Sequence, residues 1–367
     1  MIETQSISYK INPNLKNKTV KLACFDLDHT LIKPKDGRTF PKTPSDFVLW
    51  HDNLVKEKIQ SLHEQGYKLV IFSNQSDVVK PGKKRDIYLG KIQFLKDQQL
   101  YGKFNILMSL RKDHCRKPNT GMWDYLLNRT NIKVDYQNSF YIGDAAGRTK
   151  SVHHRKDFSC SDRMWAHNVG LPFKTPEEFF LQQPTNLNFE MPKLAEEIFE
   201  SDSPDELEEG YLDYSVIMLV APPASGKSAL SQDLKQKGYQ IVSQDVLGNK
   251  SKCLTKMKEL LDAGDKIVLD NTNTKLDYRK SFTDILNSRD ISYCAVVIDS
   301  TKEQCFFLNN YRCKLEKKER LSDITIHSQF KYYKKPSKTE GFAEIFKIPV
   351  IPTFENTHQL TIFNQYF

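Results

Sequence analysis

Short apolar runs that stop at an acidic or hydroxyl side chain recur along this chain and strongly restrict its fold. Asp26 follows the run LACF, Ser73 follows YKLVIF, and Asp144 follows SFYIG. A segment with helical spacing of its apolar residues, about residues 53–65, separates the first two runs. Strands that alternate with helices form a parallel sheet with helices on both faces. Because ligand sites of such sheets lie at the carboxyl ends of the strands, we expect the three side chains at one sheet edge.

A second series of runs begins with SVIMLVAPPASGKSAL, in which an apolar strand leads through a loop into a helix that ends near Gly238. The strand-like segments YQIVSQD, KIVLDNTN and YCAVVIDS follow it. A chain of 367 residues is also longer than one hydrophobic core usually serves. We therefore predict an α/β protein with two doubly wound parallel-sheet domains, one for each series.

An acidic segment separates the two series. Residues 195–213 contain nine acidic residues and no lysine or arginine, a composition typical of an exposed linker or a short charged helix. The predicted boundaries are an N-terminal extension over 1–19, a first domain over 20–190, the acidic linker over 191–213 and a second domain over 214–367.

Composition narrows the class of protein further. A hydrophobic content of 39% and a charged content of 27% fit a globular protein, and no run of about 18 apolar residues predicts a membrane span. Seven scattered cysteines without a C-x-x-C pair favour reduced thiols in the cytosol or nucleus. The net charge of +8 agrees equally with a polyanionic partner and with a solvated basic surface.

Two carboxylates, Asp26 and Asp28, lie two positions apart at the end of the first strand. Like charges so close together cost free energy unless a cation neutralises them. An aspartate can attack phosphorus and carry a phosphoryl group if a second group protonates the leaving oxygen and then activates water. Residues two apart in a strand face the same way, so both carboxylates can reach one phosphate. The pair predicts a nucleophile, an acid–base and a divalent cation that Asp144 also binds.

Four motifs in order carry a resemblance: FDLDHT, VIFSNQ, RKPNTGMWDYL and FYIGDAAGR. Together they resemble the haloacid dehalogenase superfamily of phosphatases. The resemblance implies these roles: Asp26 as nucleophile and metal ligand, Asp28 as acid–base with its carbonyl on the metal, Thr30 supporting Asp28, Ser73 holding a phosphoryl oxygen, Lys117 neutralising the transition state and Asp144 binding Mg²⁺.

Three positions near these motifs are less clear from the sequence. His29 stands where glycine is common in the superfamily, and this position needs a permissive backbone. Asp157 and Asp162 in RKDFSCSDR are either further acidic ligands or residues of a solvated loop or helix cap.

The segment APPASGKS, residues 221–228, fits the pattern of a phosphate-binding loop, with alanine in place of the first glycine. Backbone N–H groups and the helix N-terminus bind nucleotide phosphates in such loops, while the lysine reaches the β- and γ-phosphates. The predicted ATP-binding residues are Ala221, Pro222, Pro223, Ala224, Ser225, Gly226, Lys227 and Ser228. Ser228 is also a predicted Mg²⁺ ligand. Each proline removes an N–H donor, so a slow or inactive kinase stays an alternative.

A kinase also needs a base for the accepting hydroxyl and a cation for the transferred phosphoryl group. Asp245 ends the strand-like segment YQIVSQD and is the predicted base. Asp270, in KIVLDNTN, is placed either in the Mg²⁺ shell or near the substrate. Arg312, in NNYRCK, is the predicted cation.

A phosphatase followed by a phosphate-binding-loop kinase resembles the eukaryotic polynucleotide kinase 3′-phosphatases. The resemblance covers about residues 20–355 and extends through KDFSCSDR, NVGLPFKTPEEFF, LDNTN and EGFAEIFKIP. It implies a nuclear, monomeric DNA-repair enzyme, with a mitochondrial pool left open. Such an enzyme uses Mg²⁺ and ATP, removes 3′-phosphates through an aspartyl-phosphate and phosphorylates 5′-hydroxyl DNA ends. Since only about 20 residues precede the first predicted strand, we expect the shorter, fungal-type arrangement without the forkhead-associated domain of animal members.

The chain departs from this family at Gln244, where an arginine is usual, and the arginines after NN lie at shifted positions. Three alternatives therefore stay open on the sequence alone. The enzyme is a 3′-phosphatase whose second domain binds DNA, it acts on RNA ends, or it is a non-catalytic scaffold. The segment KYYKKPSK, residues 331–338, fits either a strand-binding surface or core tyrosines with exposed lysines.

Overall fold

The computed structural model describes the chain except residues 5, 16–17, 76–77, 152–154, 200–209 and 317–319. It divides into two compact units. The first is mainly Met1–Lys193 with Gln365–Phe367, and the second is mainly Leu194–Leu315 with Arg320–Asn364. Residues 200–209 of the predicted acidic linker over 191–213 lie outside the described residues.

The first unit is built around one large sheet and two small strand pairs. Its strands are β1 Ile2–Glu3, β2 Ile7–Lys10, β3 Thr19–Val20, β4 Leu22–Phe25, β5 Ile32–Lys33, β6 Val48–Leu49, β7 Lys68–Asn74, β8 Phe104–Ser109, β9 Lys133–Val134, β10 Phe140–Ile142 and β11 Phe173–Lys174. The large sheet has the order β1-β2-β8-β7-β4-β10-β11. Within this sheet, the five neighbouring strands β8, β7, β4, β10 and β11 are parallel.

Helices cover both faces of this sheet. They are α1 Asp52–Glu64, α2 Lys83–Asp97, α3 Gly121–Thr130, α4 Ser161–Val169 and α5 Pro176–Phe180. Alternate residues of β4 enter different cores: Phe25 packs in one cluster with residues of α1 and α2, and Cys24 packs in another with residues of α3 and α4. This alternation follows from the two-residue period of a strand. It makes both faces apolar, as in a buried parallel strand.

The predicted boundaries place residues 1–19 outside the first domain, but the structure includes strands from this segment in the first sheet. Strand β2 pairs antiparallel with β8, and β1 pairs antiparallel with β2. Ile7 and Tyr9 of β2 are buried in the same core cluster as Cys24. The alternating pattern of Ile7–Lys10 therefore extends the first sheet at its edge, so residues of 1–19 are part of the first unit.

The second unit has a smaller sheet. Its elements are α6 Ala195–Ile198, β12 Val216–Val220, α7 Lys227–Gln236, β13 Gln240–Val242, α8 Gln244–Leu247, α9 Lys250–Asp262, β14 Ile267–Leu269, α10 Leu276–Ser288, β15 Tyr293–Asp299, α11 Lys302–Glu316, α12 Asp323–Lys331, β16 Glu344–Pro349 and α13 Thr357–Phe363. The five strands are parallel in the order β13-β14-β12-β15-β16.

The central strand β12 again separates two cores. Val216 and Met218 pack with residues of α9 and α10, whereas Ile217 and Leu219 pack with Leu234 of α7. The predicted α/β class with two doubly wound sheets is therefore confirmed, with one antiparallel edge in the first sheet. None of the described helices has the length and apolar character needed to span a bilayer.

Candidate active sites

Three polar side chains follow neighbouring parallel strands of the first sheet, as the sequence predicts. Asp26 directly follows β4, Ser73 lies near the end of β7, and Asp144 follows β10. The backbone N–H of Asp26 still donates to the carbonyl of Ile142, so the strand ladder holds this aspartate in place. All three line a cleft of about 100 Å³ together with Asp28 and other residues.

Lys117 reaches this cleft from a loop between β8 and α3 and is 3% exposed. Its Nζ donates to Asp26 Oδ1 at 2.7 Å and to Asp162 Oδ1 at 2.7 Å. It also contacts Tyr141 Oη at 2.7 Å and donates to the Phe72 carbonyl at 2.8 Å. Burial lowers the pKa of Lys117, but the two carboxylates outweigh this effect and the net shift is upward. The lysine is therefore held as a cation against Asp26.

Asn74 fixes the backbone of Lys117 and was not singled out from the sequence. Its Nδ2 donates to the Lys117 carbonyl at 3.1 Å, and its Oδ1 accepts from the Lys117 N–H at 2.9 Å. A side-chain amide that pairs with both backbone groups of one residue restricts that residue strongly. The polar pair NQ after Ser73 is the sequence signal that points to this position.

Asp28 lies at the mouth of the cleft, with its side chain 33% exposed. Its Oδ2 accepts from Lys91 Nζ at 2.7 Å and from Gln75 Nε2 at 2.7 Å. Burial raises the pKa of Asp28, but Lys91 and Gln75 together outweigh it, and the net shift is downward. The sequence resemblance assigned no role to either donor, although Gln75 is the last residue of the motif VIFSNQ.

Three carboxylates converge in the cleft. Ligand oxygens of Asp26, Asp144 and Asp162 all lie within 4.8 Å of one another. Burial raises the pKa of Asp26 to about 7 against the opposing effect of Lys117. Burial and the neighbouring carboxylates raise the pKa of Asp144 well above its usual range. The cluster is thus short of positive charge, which a divalent cation would supply.

Asp162 belongs to the Lys117 network. Its Oδ1 accepts from Lys117 and from Tyr141 Oη at 2.9 Å, and its Oδ2 accepts from the Ala145 N–H at 3.0 Å. It is 1% exposed in the first turn of α4. A Cβ at Gly143 would lie 2.5 Å from this carboxyl group, so only glycine fits there.

Asp157 supports the loop after β10. Its Oδ2 accepts from the Ala146 N–H at 3.2 Å, the Arg148 N–H at 2.9 Å and Arg148 Nε at 2.9 Å. Arg148 also donates to the Asp144 carbonyl at 3.2 Å. These contacts favour the interpretation of Asp157 as a loop-ordering residue over that of a metal ligand.

His29 and Thr30 complete this edge of the first sheet. His29 has φ of +55°, in the left-handed region, which explains why glycine suits this position in related sequences. Its Nε2 lies 2.8 Å from the Thr39 carbonyl. The Thr30 hydroxyl lies 3.4 Å from Asp144 Oδ1, so its contact is with this aspartate and differs from the expected support of Asp28.

The second candidate site is the loop between β12 and α7. The Ala221 N–H donates to the Thr272 carbonyl at 3.0 Å, and Ser225 Oγ donates to the Pro222 carbonyl at 2.8 Å. Ala224 has φ of +59°. Gly226 and the N-terminal end of α7 follow, with Ser228 exposed in its first turn. Pro223 lies between the residues that make these contacts.

Lys227 folds back over this loop. Its Nζ donates to the Pro222 carbonyl at 2.7 Å and to the Ala221 carbonyl at 3.2 Å. Burial lowers its pKa to about 8, and the charges of Asp270 and Asp245 oppose that shift. Asp270 follows β14 and accepts from Ser231 Oγ at 2.7 Å. The structure therefore brings both aspartates within electrostatic range of Lys227.

The remaining predicted kinase residues have exposed side chains. Asp245 is exposed in α8, and its N–H is capped by Ser243 Oγ at 3.3 Å. Gln244, where the family resemblance led us to expect arginine, accepts from Tyr278 Oη at 2.9 Å. Arg312 is exposed on α11, and its charge also lowers the pKa of Lys227. These groups are less constrained than those of the first site.

Exposed aromatic side chains occur in both units. Phe40 is 67% exposed and Phe158 is 90% exposed, yet their rings pack edge to face with centroids 6.3 Å apart. Phe40 follows Thr39, which contacts His29 of the first cleft. In the second unit, Tyr332 is half exposed, and the ammonium group of Lys275 lies 5.4 Å from its ring centroid. No sequence pattern had singled out the two phenylalanines.

Comparison with known proteins covers both units. Residues 21–180 match the family described as polynucleotide kinase 3 phosphatase. The chain is 33% identical to the bifunctional polynucleotide phosphatase/kinase of Schizosaccharomyces pombe, over 90% of this chain and 80% of that protein. It is 31% identical to the polynucleotide 3′-phosphatase of Saccharomyces cerevisiae, over 42% of this chain and 85% of that protein.

Solved structures give weaker similarity. A D,D-heptose 1,7-bisphosphate phosphatase from B. bronchiseptica, in complex with magnesium and phosphate, is 20% identical with a TM-score of 0.31. The matched region covers 47% of this chain and 93% of the chain of that phosphatase.

Proposed function

The chain belongs to the bifunctional polynucleotide phosphatase/kinase family, and we propose that it repairs DNA ends by removing 3′-phosphates and phosphorylating 5′-hydroxyls with ATP. A 3′-phosphate blocks polymerases and ligases, and a 5′-hydroxyl cannot be ligated. The two reactions together make a broken strand ligatable. We also propose that the enzyme is a monomer. Because its substrate is DNA, we propose a nuclear location.

In the first unit, Asp26 is the proposed nucleophile. Its Oδ1 is held by Lys117, so one oxygen is fixed and the other can face a phosphoryl group. Attack by Asp26 forms an aspartyl-phosphate while Asp28 gives its proton to the leaving 3′ oxygen. Asp28 then takes a proton from the water that hydrolyses the intermediate. Ser73 and Lys117 bind the phosphoryl oxygens, and the Lys117 cation stabilises charge in the transition state.

The residues of this cleft fit a magnesium ion. Among the described residues around the cleft, two lysines, Lys91 and Lys117, face four carboxylates, those of Asp26, Asp28, Asp144 and Asp162. Hard oxygen donors are the ligands that Mg²⁺ prefers. Asp162 is occupied by Lys117, Tyr141 and Ala145, so Asp26, Asp144 and the Asp28 carbonyl would hold the ion. When bound, it would screen the anionic nucleophile from the anionic substrate.

In the second unit, the loop over 221–228 is the proposed ATP site. Release of Lys227 from the Pro222 carbonyl frees its ammonium group for the β- and γ-phosphates. Asp245 accepts the proton of the 5′-hydroxyl, and Arg312 stabilises the transferred phosphoryl group. Ser228 and Asp270 would hold Mg²⁺, whose charge would offset that of the phosphates.

Exposed rings in each unit support a single-stranded nucleic acid as substrate. Phe40 and Phe158 present aromatic faces beside the phosphatase cleft, and bases stack on such faces without sequence preference. Tyr332 with Lys275 gives the kinase unit a similar surface. Arg279, fully buried, donates to the Lys334 carbonyl at 2.8 Å and so orders this basic segment.

The observation that carries the proposal is the ion-paired Asp26–Lys117 contact in the first cleft beside a second aspartate. The test uses one nicked DNA duplex with a 3′-phosphate and a labelled 5′-hydroxyl, incubated with the protein, Mg²⁺ and ATP. We expect both ends to convert. Loss of the 3′-phosphate alone would restrict the function to a phosphatase with a DNA-binding second unit. Faster conversion of matched RNA ends would shift the substrate to RNA.

A further inference from the structure

Lys91 is a buried lysine that the mechanism above does not use. It lies on the apolar face of α2, three residues after Tyr88 and four before Leu95, which are both buried. A buried ammonium group costs free energy unless it is paired and hydrogen-bonded. Its position in an otherwise apolar stripe therefore points to a role for the charge.

The ammonium group of Lys91 is directed at Asp28. Nζ donates to Asp28 Oδ2 at 2.7 Å and to Gln75 Oε1 at 2.9 Å. Gln75 Nε2 in turn donates to the same Asp28 Oδ2 at 2.7 Å and to Ser73 Oγ at 3.0 Å. The lysine thus also fixes which end of the Gln75 amide faces the aspartate. Among the described residues, the two side chains that donate to the Asp28 carboxyl group are Lys91 and Gln75, and both donate to the same oxygen, Oδ2.

We propose that Lys91 and Gln75 are positioning residues for Asp28, holding its Oδ2 so that Oδ1 faces the reacting phosphoryl group. The inference rests on the proposed phosphatase function and extends it to two residues to which the motifs assigned no role. With Oδ2 accepting two hydrogen bonds, the transferable proton resides on Oδ1. The same contacts tie Asp28 to Ser73, so acid–base and phosphate-binding groups move as one unit.

The proton transfers at Oδ1 balance over the two steps. First, an Asp26 oxygen bonds to phosphorus as the bond to the 3′ oxygen breaks. That oxygen keeps the electron pair and receives the proton from Asp28 Oδ1, giving a 3′-hydroxyl. Next, a water oxygen bonds to phosphorus and gives a proton to Asp28 Oδ1. The Asp26 oxygen leaves with its electron pair, and inorganic phosphate is released.

The test compares two leaving groups in the Lys91→Met variant. The 3′-phosphate of an oligonucleotide leaves as an alkoxide that needs a proton, whereas 4-nitrophenyl phosphate leaves as a stable phenolate. We expect kcat on the oligonucleotide to fall about 10–100-fold with little change in KM. The pre-steady-state burst of nitrophenolate should change by less than about threefold, because its first step needs no acid. Gln75→Leu should give the same pattern more weakly.

A mutant cycle separates positioning from general structure. In an Asp28→Asn background, Lys91→Met should cause no further loss, because Lys91 acts through Asp28. Lys96→Met, an exposed change on the same helix, is the matched control and should leave both rates unchanged. Equal losses on both substrates, or additive losses in the cycle, would overturn the inference. Full oligonucleotide activity in Asp26→Asn would instead overturn the proposed function.

Discussion

Lys117 and Lys227 are both buried lysines at the carboxyl edge of a parallel sheet, but their surroundings differ. Lys117 is bound by two carboxylates, and its pKa is shifted upward. Lys227 donates to two carbonyls of its own loop, and burial lowers its pKa to about 8. The first cation is neutralised within the protein. The second has only carbonyl oxygens as direct hydrogen-bond acceptors, although the charges of Asp270 and Asp245 act on it, and a nucleotide would add the negative charge of its phosphates.

This difference extends to the neighbouring groups. Around Lys117, the hydrogen bonds that its backbone N–H donates to Asn74 and its ammonium group donates to Tyr141 fix the network. Around Lys227, the predicted base Asp245 and the predicted cation Arg312 are exposed. A preorganised polar site reacts with little rearrangement, whereas a site that closes on its substrate gains its geometry on binding. We therefore expect the activity of the phosphatase site to be sensitive to small changes in geometry. We expect the activity of the kinase site to be sensitive to the removal of charged side chains.

The largest expected effect is at the phosphatase nucleophile. Asp26→Asn removes the oxygen that attacks phosphorus, and 3′-phosphate release should fall by about 10⁴-fold or more. Lys117 keeps Asp162 as a partner, so the fold should persist. The kinase rate of the same preparation is the internal control. A variant that still forms a labelled phosphoenzyme would contradict the assignment.

The next largest effect is expected at Lys227 of the second unit, where one substitution changes both phosphate transfer and the free energy of unfolding. Lys227→Met should abolish transfer of the γ-phosphate while leaving 3′-phosphate release intact. Without nucleotide, it should also raise the free energy of unfolding at pH 7 by about 1–3 kcal/mol, because a buried charge is removed. Lys235→Met on the same helix is the exposed control. A less stable Lys227→Met protein would argue against a burial cost at this lysine.

The pH dependence of this gain has a definite sign. Burial lowers the pKa of Lys227 to about 8 from 10.5, so the unfolded chain binds more protons between these values. Wild-type stability should therefore rise through this window, and the advantage of Lys227→Met should shrink. Thermal denaturation of both proteins at pH 7 and pH 10 measures the change. A constant difference would contradict the lowered pKa.

A smaller change probes the geometry of the phosphatase network. Gly143→Ala would place a Cβ 2.5 Å from Asp162, which must move and shift Lys117 with it. We expect a loss of about 10–100-fold in 3′-phosphate release, since displacements near 1 Å have such effects. Gly102→Ala has open space and serves as the control. Unchanged rates in both variants would show that Asp162 does not set the position of Lys117.

The smallest expected effect lies in the phosphate-binding loop. Ala224 adopts a left-handed backbone, with φ of +59°. Ala224→Gly should stabilise the protein by about 0.5–1 kcal/mol by removing Cβ strain. Ala229→Gly, in the exposed face of α7, should destabilise it by about 1 kcal/mol. Denaturant unfolding of the two variants tests whether the strain is present, and shifts of the same sign would exclude it.

Much of the architecture and chemistry could be predicted from local patterns. Apolar runs ending at Asp26, Ser73 and Asp144 predict one sheet edge, because parallel strands all present their carboxyl ends there. The strand–loop–helix pattern at 221–228 predicts the phosphate-binding loop. The short strand Ile7–Lys10 was missed, since four alternating residues near a terminus give little signal against a predicted extension.

The sequence by itself determined the two α/β units, the residue types at the strand ends and the family. These depend on periodicities of two and 3.6 residues and on contiguous motifs. Only the tertiary structure decided that Asn74 clamps Lys117, that Asp162 pairs with it, and that Lys91 reaches Asp28 across 63 positions. Such contacts depend on how helices pack on a sheet. A side chain's chemical type shows what it can bind, but packing decides which partner lies within hydrogen-bond distance.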